Sequence, residues 1–101
     1  MINSGGIVLV SDGEGTPTAL SVSSDSLIEN EASGRIEARL SSTPASVFGA
    51  GLSAVEMGGG TVLNNAGTIL VEGNARTPAV RTLNGRDRVR IVNTGTIDAS
   101  L

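Results

Sequence analysis

One phrase recurs along this chain of 101 residues and constrains its fold more than any other feature. It reads Ile2-Asn3-Ser4-Gly5-Gly6-Ile7, then Leu63-Asn64-Asn65-Ala66-Gly67-Thr68-Ile69, then Ile91-Val92-Asn93-Thr94-Gly95-Thr96-Ile97, with a looser copy Ile28-Glu29-Asn30-Glu31-Ala32-Ser33-Gly34-Arg35-Ile36. The repeat glycines Gly5, Gly34, Gly67 and Gly95 are spaced by 29, 33 and 28 residues. At such a period each repeat is a unit that buries its apolar face only against its neighbours, which is the mark of a stacked, solenoid-like chain. A single domain over residues 1–101 is expected, with repeats at approximately 1–27, 28–61, 62–90 and a partial 91–101.

Aligned on the glycine, Ile7, Ile36, Ile69 and Ile97 fall two residues later, and Leu9, Ala38, Val71 and Ala99 fall four residues later. Val8, Glu37, Leu70 and Asp98 lie between them. That period of two predicts a strand with one buried face, stacking the isoleucines in an internal column and turning the charged register outward. Asn3, Asn65 and Asn93 stand two residues before the glycine, and Met1, Leu63 and Ile91 two residues before them. Asn30 joins that column if two residues are inserted after it, which puts Ile28 in the apolar slot. Stacked asparagines can hydrogen-bond one another and the turn backbone, so Asn65 and Asn93 are expected to be buried neighbours in a ladder.

A second mark recurs as Thr16-Pro17, Thr43-Pro44 and Thr77-Pro78, each followed by alanine and an apolar residue: Ala19-Leu20, Ala45 to Val47, and Ala79-Val80. Proline cannot donate to a strand ladder, so these read as corners leading into another strand. The variable part, with Gly49-Ala50-Gly51 and Gly58-Gly59-Gly60, lies between this mark and the next phrase. Ser21 to Asn30 is serine-rich and lies between two strand signals, which argues against a helix there. The expected class is all-β, a parallel β-helix (β-solenoid) of about three coils of roughly 30 residues, each with two or three short strands.

Composition agrees with a narrow interior. Phe48 is the one aromatic, glycine contributes 14 residues, and Ile, Val, Leu and Ala carry the apolar content. Small and β-branched side chains fill a thin coil, whereas a two-sheet sandwich relies on aromatics. With no cysteine and no histidine, disulfides, zinc sites and imidazole catalysis are excluded. No stretch approaches the roughly 20 apolar residues of a membrane span, so no direct membrane insertion is expected. Met1 to Val10 lacks the basic start of a signal peptide. The net charge of −3 conceals a gradient: residues 1–34 hold five acids and no base, whereas residues 74–101 hold Arg76, Arg81, Arg86, Arg88 and Arg90 against Asp87 and Asp98.

Asn93-Thr94-Gly95-Thr96-Ile97-Asp98-Ala99 and Asn65-Ala66-Gly67-Thr68-Ile69, set in Ala, Gly, Ser and Thr-rich repeats, resemble the passenger regions of bacterial autotransporters and related surface adhesins. The resemblance implies a right-handed parallel β-helix, located at the cell surface or secreted, outside the Gram-negative outer membrane. It also implies a separate C-terminal membrane barrel, which these residues do not include.

Four candidate chemistries bear on what this chain could do. Asp12-Gly13-Glu14-Gly15 has the alternating acids of a calcium turn but occurs once, so a solvated acidic corner is the simpler reading. Arg81, Arg86, Arg88 and Arg90 could contact an anionic glycan, phosphate or acidic partner; the plainer alternative is a hairpin-like excursion about Asn84-Gly85, with Arg88 and Arg90 outward and Val89 and Ile91 inward. Nucleic acid is disfavoured by the negative net charge and the lack of stacking aromatics. For catalysis, Glu37 and Asp98 could share an outward face, but Leu70 lies between them, so no enzyme, catalytic residue, metal or cofactor is expected.

The leading expectation is therefore a structural or adhesive segment of a surface β-solenoid that displays its corner loops. Its partners would be adjacent solenoid coils, and a host-surface glycan or protein. The alternative is a self-assembling module that stacks on copies of itself end to end; the third is a fragment of a polysaccharide-active β-helix enzyme.

Overall fold

Each repeat phrase folds into two short strands separated by its glycine, and a third strand follows each of the first three. In the computed structural model, which describes residues 1–11, 18–40, 52–72, 79–82 and 89–99, the strands are β1 (Ile2–Asn3), β2 (Gly6–Ser11), β3 (Thr18–Val22), β4 (Leu27–Asn30), β5 (Arg35–Leu40), β6 (Ser53–Met57), β7 (Val62–Asn65), β8 (Thr68–Glu72), β9 (Val80–Thr82), β10 (Arg90–Asn93) and β11 (Thr96–Ala99). They form three sheets, ordered β1-β4-β7-β10, β2-β5-β8-β11 and β3-β6-β9. Every pairing is parallel. The chain thus visits the first, second and third sheets in turn and then begins again one strand further along each; one such pass is called a tier below. The protein is all-β, and its stacked parallel strands are compatible with a solenoid-like arrangement.

The register follows the repeat glycine. Ile7 pairs with Ile36, Ile36 with Ile69, and Ile69 with Ile97. Ile36 and Ile69 are sealed from solvent, as are Ala38 and Val71 two residues on. On the first sheet Ile28 pairs with Leu63 and Leu63 with Ile91. The third sheet closes the core with Val55 and Met57, both fully buried. A fully buried aliphatic side chain stabilises by about 1.5–3 kcal/mol, so these columns supply the main drive for stacking.

Three corners show how the chain bends. The extra residues after Asn30 form a turn closed by the Gly34 amide donating to the Glu31 carbonyl at 2.7 Å; the column then resumes with Arg35 level with Gly6. Between the third sheet and the next tier, Asp25 (φ 55°) and Gly60 (φ 76°) occupy equivalent left-handed positions, which glycine adopts freely and Asp tolerates. Glycine in the repeat phrase has a different cause. A Cβ on Gly67 would overlap the Gly34 and Glu31 carbonyl oxygens, and one on Gly95 the Gly67 carbonyl oxygen. Successive tiers approach so closely at this corner that only hydrogen fits.

Three expectations are corrected, and a fourth lies outside the described residues. Ala45 to Val47 lies outside the described residues, and the third-sheet strand of the second tier is Ser53–Met57, with Leu20 level with Val55. Thr16-Pro17 and Thr77-Pro78 do lead into third-sheet strands, β3 and β9, as expected; only in the longer second tier does the mark not locate the strand. Glu37 is not a solvated outward residue: it is 1% exposed, because Arg35 and Arg39 on the same face fold over it. Asn93 and Ile91 are in the expected columns but exposed, since β10 is the last strand of its sheet among the described residues. Finally, β9 and β10 belong to different sheets, so they do not form a hairpin arm pair about Asn84-Gly85, which itself lies outside the described residues.

Candidate interaction surface

The asparagine column is a chain of side-chain hydrogen bonds running in one direction. Asn3 Nδ2 donates to Asn30 Oδ1 at 2.9 Å, Asn30 Nδ2 to Asn65 Oδ1 at 2.8 Å, and Asn65 Nδ2 to Asn93 Oδ1 at 2.9 Å. Each amide also reaches backbone carbonyls at the corner: Asn30 to Gly34 and Thr68, Asn65 to Gly67 and Thr96. Buried polar groups are tolerated when bonded in this way, and Asn30 and Asn65 are 2% and 1% exposed. At the last tier Asn93 Oδ1 additionally accepts from the Gly95 amide at 3.2 Å. Among the described residues Asn3 Oδ1 accepts no hydrogen bond and Asn93 Nδ2 donates none. Among these residues one end of the ladder is an open acceptor and the other an open donor.

The backbone repeats that direction at the corner. The Glu31, Ala66 and Thr94 amides donate to the Asn3, Asn30 and Asn65 carbonyls, and the Arg35, Thr68 and Thr96 amides to the Gly5, Gly34 and Gly67 carbonyls, all at 2.8–3.0 Å. Apolar side chains accompany both end strands. Met1, Ile2, Val8 and Val10 are exposed at the first tier, and Ile91 and Val92 at the last.

On the outer face of the second sheet, Arg35 Nε donates to Glu37 Oε2 at 2.9 Å and Arg39 Nη2 to Glu37 Oε1 at 3.1 Å. Arg39 also lies 3.9 Å from Glu72. The bond from Arg35 holds the Glu37 carboxyl below its ordinary value against the opposing effect of burial, with Arg39 adding to it; the same bond raises Arg35. An Arg-x-Glu-x-Arg spacing on a strand places three side chains on one face, and that signal was legible in the sequence.

The arginine set does not assemble into one patch. Arg81 is engaged by Glu56 across the third sheet, and Ser21 Oγ donates to the same carboxylate at 3.4 Å. Arg90 stands exposed on the first sheet, while Arg86 and Arg88 lie outside the described residues, as does Asp12-Gly13-Glu14-Gly15. A shallow groove of about 230 Å³ runs outside the asparagine column, lined by Glu29, Glu31, Asn64, Val92 and Thr94 among others. The described residues contain no group of three or more acidic side chains placed to hold a metal ion. What this geometry offers is a strand-edge surface at each end of the stack. Comparison with protein-family models, curated proteins and solved structures finds no match to this chain.

Proposed function

We propose that the chain is a structural and adhesive segment of a right-handed parallel β-solenoid at a bacterial cell surface or in a secreted protein. In this reading the tiers form a rigid rod and the segments between sheets present variable side chains to a host glycan or protein. One observation carries it: the interior columns keep strict register from tier to tier while the segments joining the second and third sheets change freely. Those segments span 12–17, 41–52 and 73–79, and their sequences share little beyond Thr-Pro. A frame held constant beneath changing connections suits a scaffold, since connecting segments tolerate change that columns do not.

The reading is tested by measuring binding of the labelled chain to a glycan array and to epithelial cells. Residues 12–17 and 41–51 are replaced by Gly-Ser sequence of equal length in one variant, and 73–78 as well in a second. Unchanged circular dichroism with lost binding is the expected result. Binding that survives both replacements, or an intact chain that binds neither surface, would reject the adhesive role.

A further inference from the structure

The first and last tiers are complementary to each other, and we propose that they bind: the β10–β11 edge of one copy of this chain docks on the β1–β2 edge of a second copy, head to tail, with Asn93 level with Asn3. The inference needs only the tier register and is independent of any surface location or loop display.

Polarity selects the arrangement. The open donor, Asn93 Nδ2, meets the open acceptor, Asn3 Oδ1, and continues the series of 2.8–2.9 Å bonds that already crosses three junctions. The Asn93 and Gly95 carbonyls would receive the Ser4 and Gly6 amides, as the Asn3 and Gly5 carbonyls receive those of Glu31 and Arg35 within the chain. In this register the interior columns continue without a break: Ile91 onto Met1, Ile97 onto Ile7, and Ala99 onto Leu9. On the outer face Val92, 39% exposed, falls against Ile2, 67% exposed. Two first-tier edges facing one another would instead oppose acceptor to acceptor, and two last-tier edges donor to donor. The charge gradient from five acids without a base in residues 1–34 to five arginines in residues 74–101 favours the same orientation and adds a salt-sensitive attraction. Because the contact is heterologous, it extends rather than closes.

Gly5 supplies the decisive variant. A Cβ there meets nothing within 4 Å, whereas Gly34, Gly67 and Gly95 are each blocked by the tier before them. Gly5→Ala should therefore leave the single chain untouched and collide with the Gly95 carbonyl of a docked copy. Asn93→Asp is its counterpart at the other edge: the carboxylate keeps the bonds from Asn65 Nδ2 and Gly95 but faces Asn3 Oδ1 without a proton to donate.

Sedimentation velocity over a concentration series should show the 101-residue chain forming species that grow with concentration and shrink with added salt. Gly5→Ala should remain monomeric with an unchanged melting midpoint, and Asn93→Asp should weaken association about tenfold or more. An equimolar mixture of the two variants should give dimers as the main species at concentrations where Asn93→Asp alone stays monomeric, because it contains one fully competent pair of edges. A strictly monomeric parent chain, a Gly5→Ala variant that assembles like the parent, or a mixture that forms no dimer overturns the proposal. A folded monomer in the first case would leave the scaffold reading intact.

Discussion

Residues 65–69 and 93–97 carry nearly the same phrase in the same register, yet they live in different environments. Asn65 and Ile69 are sealed; Asn93 is exposed and Ile97 only partly covered. A Cβ on Gly67 would overlap atoms of the preceding tier, and one on Gly5, in the first tier, would meet none. Burial in this molecule is a property of having a tier on both sides, not of the residue itself. Energies should therefore rise sharply from the end tiers to the inner ones.

The largest contrast is expected at glycine. Gly67→Ala forces backbone from two tiers apart and should cost more than about 3 kcal/mol, whereas Gly5→Ala should leave the denaturant midpoint of the single chain where it was. Equal costs would show that the glycines are needed for chain conformation rather than for close approach. Next comes the isoleucine column. Ile69→Ala removes a fully enclosed side chain and should cost about 3 kcal/mol, and Ile97→Ala about 1 kcal/mol; urea titrations giving similar values at both sites would contradict the gradient.

The asparagine column should show a smaller difference. Asn65→Leu strips a buried acceptor from Asn30 and a donor from Asn93 and should cost about 2 kcal/mol, while Asn93→Leu should cost less than about 0.5 kcal/mol. Last comes the outer ion cluster, smaller than any of the inner-tier effects, where Glu37→Gln should cost about 1 kcal/mol at neutral pH, its arginine partners being half-exposed. Its pH dependence has a definite sign. Since the folded Glu37 value is depressed, its contribution is present above the unfolded carboxyl range near about 4.3 and is lost as pH falls through the folded value. Melting curves of parent and variant should converge on acidification, and a constant gap down to low pH would assign the loss to packing instead.

The columns were legible because two periodicities coincide: an alternation of two along the strand and a glycine recurring about every 30 residues. Together they place Ile7, Ile36, Ile69 and Ile97 without any structure. The asparagine position was legible for the same reason, but not the direction of its bonds, which depends on how each amide is turned. Glu37 was misjudged because its face was taken as solvated without weighing the Arg35 and Arg39 that alternation puts beside it on that face. The approaches to β3 and β9 were legible in Thr16-Pro17 and Thr77-Pro78, whereas the place of β6 at Ser53–Met57 was not, because the second tier is longer and carries no such mark directly before that strand. The exposure of Asn93 followed from position in the stack, which repetition by itself conceals.

The uniform orientation of the asparagine amides has a consequence for how such a molecule can change in length. Because the link from Asn3 to Asn30 has the same sense as those from Asn30 to Asn65 and from Asn65 to Asn93, the unit has translational symmetry, and an in-frame tandem duplication of one unit would meet correct chemistry on both sides. Each duplication would lengthen the molecule by one strand spacing, about 4.8 Å. A gene of this kind can vary its product's reach in fixed increments by recombination alone, with no new interface to evolve.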